Sequence, residues 1–229
     1  MENNISIMTV NYNTPEFIFT LMSSFKKYNK WCKTLKIDVI DNGVNKELPE
    51  GNYDNFTVKY FDKKLYNFLE KYKYNSKDKT LASAHHAYTI DWYIKNMCKT
   101  DYLLILDSDI IFTRSFETEL NDFIKNNYFL MGFERTNYKC HCIAPWACFL
   151  NVKKMKEQKL SYFDINRILY VNGNVTHDTG ASLYEDAIKL NNKIKKTKDN
   201  TFYLHLKGGS LDKNKRIKFI LKYKKIWND

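Results

Sequence analysis

Asp107-Ser108-Asp109, two carboxylates at i and i+2 closing an apolar run, are the residues of this chain best suited to chemistry. In extended backbone such positions point to one side, so the two acids repel at close range unless a cation lies between them. A divalent metal with oxygen ligands meets that need. The plainer reading is a solvated turn, but Ile110-Ile111-Phe112 resume the apolar pattern at once, unlike a surface turn. His205 is the second such residue: it lies in a predicted last strand, Phe202 to Leu206, and is followed by Gly208-Gly209. A neutral imidazole there can complete the coordination of a cation held by Asp107 and Asp109. A glycine pair lets backbone N–H groups approach a phosphate. The other histidines, His85, His86, His141 and His177, also fall at element ends or beside loops, where a scaffold presents reactive groups; singly, each reads first as structural.

The elements that must position these residues follow from the pattern. Tyr102 to Leu106 is a run of large, mainly apolar residues without alternation, a strand covered on both faces as in parallel sheets. Ligands of open α/β sheets bind beyond the carboxyl ends of such strands. Ile5 to Val10 reads as a first strand, followed by a helix with Thr14 as N-cap and Pro15 at its first position, running to about Asn29. Leu35 to Ile40 is a second strand ending at the turn Asp41-Asn42-Gly43, and Thr57 to Phe61 a third. Residues 62–80 read as a lysine-dense surface helix, then a loop at Asn75 to Lys79. A helix from Ser83 to about Met97 carries Asp91 within its apolar stripe, either as a buried acid met by a neighbouring cation or as a ligand contact. Beyond Asp109 the pattern predicts a helix near Phe116 to Lys125, a strand near Tyr128 to Phe133, and a loop holding Arg135, Cys140 and His141. A strand at Pro145 to Leu150, a helix at Tyr162 to Leu169 and a helix opened by His177-Asp178-Thr179-Gly180 follow. This rhythm predicts an α/β fold with a mostly parallel, doubly wound (Rossmann-like) sheet flanked by helices.

The bulk numbers narrow the classes. With 229 residues, 44% of them hydrophobic and 16% aromatic, the chain suits one folded domain rather than disorder. No basic N-terminal region leads into an apolar stretch and no long apolar run occurs, which predicts a soluble cytoplasmic protein. Five cysteines, an odd number without framework spacing, predict reduced thiols; Cys140-His141-Cys142 lacks a second pair at finger or ribbon spacing. The formal charge is +11, and Leu206 to Asp229 alone holds eight Lys or Arg against two Asp, a net +6. No repeat or linker divides the chain. The organisation is therefore one domain over 1–210 and a basic amphipathic C-terminal helix over 211–229, with Ile217, Ile220, Leu221 and Trp227 at helical spacing. That helix reads as docked on the domain with its lysines in water, the alternative being peripheral contact with an anionic membrane.

Taken in order, ISIMTVNYNTPEF, KIDVIDNG, SAHHAYTIDWYIK leading into TDYLLILDSDIIF, and the late His-x-x-Gly-Gly resemble family 2 glycosyltransferases and related enzymes of the GT-A fold, from residue 5 to about 210. The resemblance implies that Val10, Tyr12 and Asp41 hold the base of a nucleotide-sugar. It implies that Asp107 and Asp109 bind sugar, ribose and metal, and that His205 is the late metal ligand. Ser108, Asp91, Lys207 and Ser210 are further donor-side candidates. The implied cofactor is Mn or Mg with a UDP- or GDP-sugar, the implied acceptor a glycan or lipid-linked group, and no nucleic acid is expected. The chemistry agrees, since a departing nucleoside diphosphate gains negative charge that a divalent ion and nearby lysines stabilise. An inverting transferase also needs a carboxylate to take the acceptor's proton. Asp178 is the first choice, before a helix whose N-terminus favours an anion, with a bare N-cap as the alternative. Glu185 and Asp186 are weaker choices, and the commoner Glu-Asp pair before an Arg or Trp motif is absent. Arg135 and Trp146 flank the middle loop, where a Trp face suits an acceptor sugar or the core.

Two other classes compete. Phosphatases of the haloacid dehalogenase type also use Asp-x-Asp, but on the first strand and before Thr or Gly-Thr; here three predicted strands precede it and Ile110-Ile111 trail it. A basic nucleic-acid or anionic-surface module predicts steeply salt-dependent binding unaffected by Asp109→Asn. An apolar strand running into paired acids is a poor way to build a polyanion site.

Overall fold

The computed structural model describes residues 4–70, 80–137, 140–168, 178–207 and 212–228. The chain begins with β1 (Ile5–Asn11), α1 (Pro15–Tyr28), β2 (Ile37–Asp41), β3 (Gly51–Asn52) and β4 (Phe56–Tyr60). A 3-10 turn (Lys63–Tyr66) leads into α2 (Asn67–Glu70), and α3 (Thr80–Asn96), β5 (Tyr102–Asp107), β6 (Ile110–Phe112) and α4 (Glu117–Lys125) follow. The second half comprises β7 (Leu130–Asn137), β8 (Cys140–Ile143), β9 (Ala147–Asn151), α5 (Val152–Glu157), α6 (Ile165–Ile168), α7 (Ala181–Lys189), β10 (Ile194–Thr197), β11 (Tyr203–His205) and α8 (Lys213–Asn228).

The main sheet has the order β10-β7-β9-β5-β1-β2-β4-β3, with β8 on β7. Its centre, β5-β1-β2-β4, is parallel. Along β5 the side chains alternate between two cores: Leu103 and Ile105 pack with Ala84, Ala87 and Ile90 of α3, Leu104 and Leu106 with Ile18, Leu21 and Phe25 of α1 and Phe123 of α4. All four are 0% exposed, which is why this strand shows no apolar alternation. Each such burial contributes roughly 1.5–3 kcal/mol. The register places Val10 opposite both Ile40 and Asp107, and Asn11 opposite Asp41, so three strands end at one edge.

The sheet is mostly parallel, as expected, with β9 lying antiparallel to both β5 and β7. Other expectations are corrected. The middle loop is a hairpin in which the expected strand runs on as β7 to Asn137 and pairs with β8, with Arg135 opposite Cys142; the polar run Glu134 to Asn137 hid the extension. The edge strands β3 and β10 were not expected. Of the lysine-dense segment, the described residues form the 3-10 turn and α2, and residues 71–79, with the Asn75–Lys79 loop, lie outside the described residues. In the Tyr162–Leu169 segment the helix α6 begins only at Ile165. The last strand pairs antiparallel with β6 in a separate two-stranded sheet. Cys32, Cys98, Cys142 and Cys148 are reduced and buried. In α8, Ile220 packs with Phe17, Ile111 and Leu206; the Trp227 side chain lies outside the description. No described helix is long and apolar enough to cross a membrane.

Candidate active site

β5 ends at Asp107, a two-residue turn follows, and β6 carries the chain back against β11 with Ile110 opposite His205. Leu206 N donates to Asp109 O at 2.9 Å, fixing the turn beside the histidine. His205 Nε2 lies 3.2 Å from Asp109 Oδ1 and 3.7 Å from Asp107 Oδ2. From α3, His86 Nε2 stands 3.9 Å from Asp107 Oδ1. One ligand atom each of Asp107, Asp109 and His205 lies within 4.8 Å of the others, a group of three with metal-binding geometry among the described residues. Two carboxylates and one imidazole are donors suited to Mg or Mn. His205 Nδ1 is buried without a hydrogen-bond partner among the described residues, and its ring stacks on Trp146 at 4.8 Å and 27°.

The charges of the group act on one another. Burial pushes the Asp107 carboxyl up, His86 opposes this, and the neighbouring Asp109 charge adds to the rise. Burial works against a charged His205, but the hydrogen bond to Asp109 and the charges of both acids outweigh it and raise its pKa.

A chain of buried polar groups ties the three strand ends together. Asn11 Nδ2 donates to Asp41 Oδ2 at 3.1 Å, Thr14 Oγ1 donates to Asn11 Oδ1 at 2.8 Å, and Thr14 Oγ1 meets Ser108 Oγ at 3.1 Å. One expectation changes here. Thr14 does precede α1, but its hydroxyl makes no cap bond and serves this chain instead. Asp41 is 0% exposed; Gly43 N donates to its Oδ1 at 2.7 Å, so it shapes the turn. Gly43 is needed there, since an added Cβ would lie 2.6 Å from Asn13 Oδ1. That Oδ1 accepts from Val44 N and Asn45 N. Val10 is buried in the same edge, while Tyr12 stands 58% exposed.

Opposite lies a second group. Arg135 Nη1 donates to Asp178 Oδ2 at 2.6 Å, and Thr179 N to Asp178 Oδ1 at 2.8 Å. Burial alone would raise the Asp178 pKa, but bonds from the Ser83 side chain, Thr179 N–H and Arg135 hold it below the usual carboxylate range. The N-cap of α7 is Gly180, at φ 84°, so Asp178 is not the cap. Arg135 also lies over the Trp146 ring at 5.7 Å. Trp146 thus joins the two groups, touching His205 on one and Arg135 on the other.

The remaining candidates separate from these groups. Asp91 is engaged by Lys95 Nζ at 2.5 Å, Ser161 Oγ at 2.7 Å and Tyr162 N at 2.7 Å; it anchors the 161–162 turn to α3 and is a structural acid. Arg167 binds Asp186 through both guanidinium ends, at 2.8 and 2.6 Å, and lies 3.6 Å from Glu185, so those acids fasten α6 to α7. Lys207 is exposed with φ 57°. Ser210, Gly208, Gly209 and His177 lie outside the described residues. Sequence reasoning left three participants unassigned: His86, Asn11, and the cluster in which Asn42 Nδ2 donates to Tyr66 OH at 3.1 Å and Thr89 Oγ1 at 3.3 Å. The one signal for His86 was its place near the start of the helix leading into Asp107.

No protein-family model and no curated protein matches the sequence. Solved structures do. The glycosyltransferase GlyE of Streptococcus pneumoniae superposes with a TM-score of 0.51 at 16% identity, over 86% of this chain and 45% of its own. The mannosyltransferase PcManGT from Pyrobaculum calidifontis, in complex with GDP-Man and Mn2+, gives 0.52 at 11% identity, over 86% and 55%. TarS 1-349 of S. aureus, in complex with UDP, gives 0.51 at 12% identity, over 96% and 70%. The chain spans about half the length of the first two. Likeness at such identity carries architecture rather than chemistry, and the architecture is clear: the chain has the GT-A fold.

Proposed function

We propose that the chain is a metal-dependent glycosyltransferase that moves a sugar from a nucleoside-diphosphate sugar to a hydroxyl of a glycan or lipid-linked acceptor, with inversion. The observation that carries this reading is the Asp107–Asp109–His205 group at the carboxyl edge of the parallel strands, where open α/β sheets bind ligands. Asp107, Asp109 and His205 would hold Mn or Mg, which when bound supplies Lewis-acid stabilisation of the charge developing on the diphosphate. Tyr12, on the exposed lip beside Asn13, offers its ring to the nucleobase, with Val10 beneath it. Lys207 adds positive charge on the diphosphate side, and Ser210 is assigned there as well.

Asp178 is assigned as the proton acceptor. As the acceptor oxygen bonds to the anomeric carbon, the bond to the diphosphate breaks with its electron pair, and the hydroxyl proton passes to Asp178. A carboxylate held by Arg135 and two further donors is a weak base, so it takes the proton late, when bonding to the sugar has made the hydroxyl acidic. The test is a panel of UDP- and GDP-sugars with the purified chain, with manganese and with EDTA, scored for nucleoside diphosphate release. Release that requires the metal and is lost in Asp109→Asn supports the reading; release unaffected by EDTA overturns it.

A further inference from the structure

Three large apolar side chains, Phe19 at 54% exposure, Ile217 at 40% and Leu221 at 55%, line one groove of about 350 Å³ between α1 and α8. The exposed residues of α1 are Phe19, Ser23, Lys26 and Lys27, spaced so that they share one helix face. The orientation of α8 is fixed from inside. Ile220 packs with Phe17, Ile111 and Leu206, and Arg216 Nη2 donates to Asn13 O at 2.8 Å. Ile217 and Leu221, one turn apart, are thereby left on the outer rim. In sequence, α8 carries seven Lys or Arg and no acid over Lys213–Asn228. Lys213 meets Glu47 at 3.5 Å and Lys215 meets Asp212 at 3.3 Å, while Lys218 and Lys222 are exposed beside the apolar pair.

We propose that the outer faces of α1 and α8 form one docking surface for an anionic lipid bilayer, with Phe19, Ile217 and Leu221 entering the headgroup boundary and Lys26, Lys27, Lys218 and Lys222 meeting lipid phosphates. Apolar residues at the centre of a cationic rim have the composition of an interfacial membrane surface. A polyanion such as nucleic acid is held by the cations alone and gains nothing from aliphatic side chains at the centre. A second copy of the chain would bring two cation-rich α8 helices together, which like-charge repulsion opposes. The surface is separate from the donor site, so it stands whether or not the reading of that site does.

The test is co-sedimentation of the full chain with vesicles of phosphatidylcholine alone and of equal parts phosphatidylcholine and phosphatidylglycerol, without nucleotide or metal. Binding to the anionic vesicles and not the neutral ones is expected. Lys218→Gln with Lys222→Gln should weaken it about 25-fold, about five-fold per cation. Leu221→Glu, and separately Ile217→Glu, should weaken it at least about ten-fold with an unchanged thermal melt, as both side chains are exposed. Failure to bind either vesicle overturns the proposal. So does binding that the lysine pair weakens and both apolar variants leave intact, the signature of a polyanion site. A dimer in sedimentation velocity that Leu221→Glu dissociates would give the groove to a second copy and overturn it too.

Discussion

His205 Nε2 and Asp109 Oδ1 are 3.2 Å apart, close enough that both would hold the proposed cation. His205→Ala should therefore weaken manganese affinity by at least about ten-fold, the scale at which loss of groups at metal sites is felt, as read by isothermal titration; unchanged affinity would remove His205 from the ligand set. Trp146→Ala should weaken it less, because the indole holds the ring and donates nothing. At Asp178 the sign of the pH effect is fixed by its lowered pKa. The stabilisation is fully present above the unfolded aspartate value of about 3.9 and is lost as pH falls through the lower folded value. Asp178→Asn should flatten that acid limb of the stability curve while costing at most about 1 kcal/mol at neutral pH, as the pair is part-exposed. Transfer should fall about 10²- to 10⁴-fold with donor binding retained; activity within a few-fold of the native chain would exclude it as the base.

Among the elements, β5 carries the most. Its alternate residues serve two cores, so Leu104→Ala should cost about 2–5 kcal/mol, measured by denaturant unfolding, and disturb the position of Asp107 at the strand's end. Entry into α7 depends on Gly180, which combines φ 84° with Tyr162 Oη only 3.1 Å from where a Cβ would stand. Gly180→Ala should destabilise by about 1–3 kcal/mol and shift Asp178, two residues before it. A stability loss below a few tenths would mean that this turn relaxes freely.

For the whole molecule, the proposed ligands Asp107, Asp109 and His205 come from two chain regions that meet at the edge of the sheet. A cation that binds the folded state alone links those regions and stabilises the fold by about 2.7 kcal/mol at a hundredfold excess over its Kd. For a chain of this size that is a rise of roughly 5–10 °C in melting temperature, and Asp109→Asn should abolish it. A rise of the same size in the variant would place the metal elsewhere.

The Tyr102–Leu106 run declared its two-sided burial in sequence because a strand buried on both faces shows no alternation, and Asp107-Ser108-Asp109 marked a candidate cation site because adjacent like charges favour one. The strand, helix, strand rhythm of the first half was legible for the same local reasons. Local pattern cannot report which distant side chain a polar group meets. Asp91 therefore reads in sequence as either a buried acid or a ligand contact, and Asp41 as a turn residue that only the resemblance makes a base contact; tertiary packing alone supplies their partners, Asn11 and the 41–43 turn in one case and Lys95 and Ser161 in the other. The same holds for Asp178, whose Arg135 partner arrives on the polar extension of β7 that pairs with β8, and for His86, brought to Asp107 by the packing of α3 on β5. Sequence determined the strand that ends in acids; the fold decided what surrounds them, because burial and charge pairing are set by neighbours far along the chain.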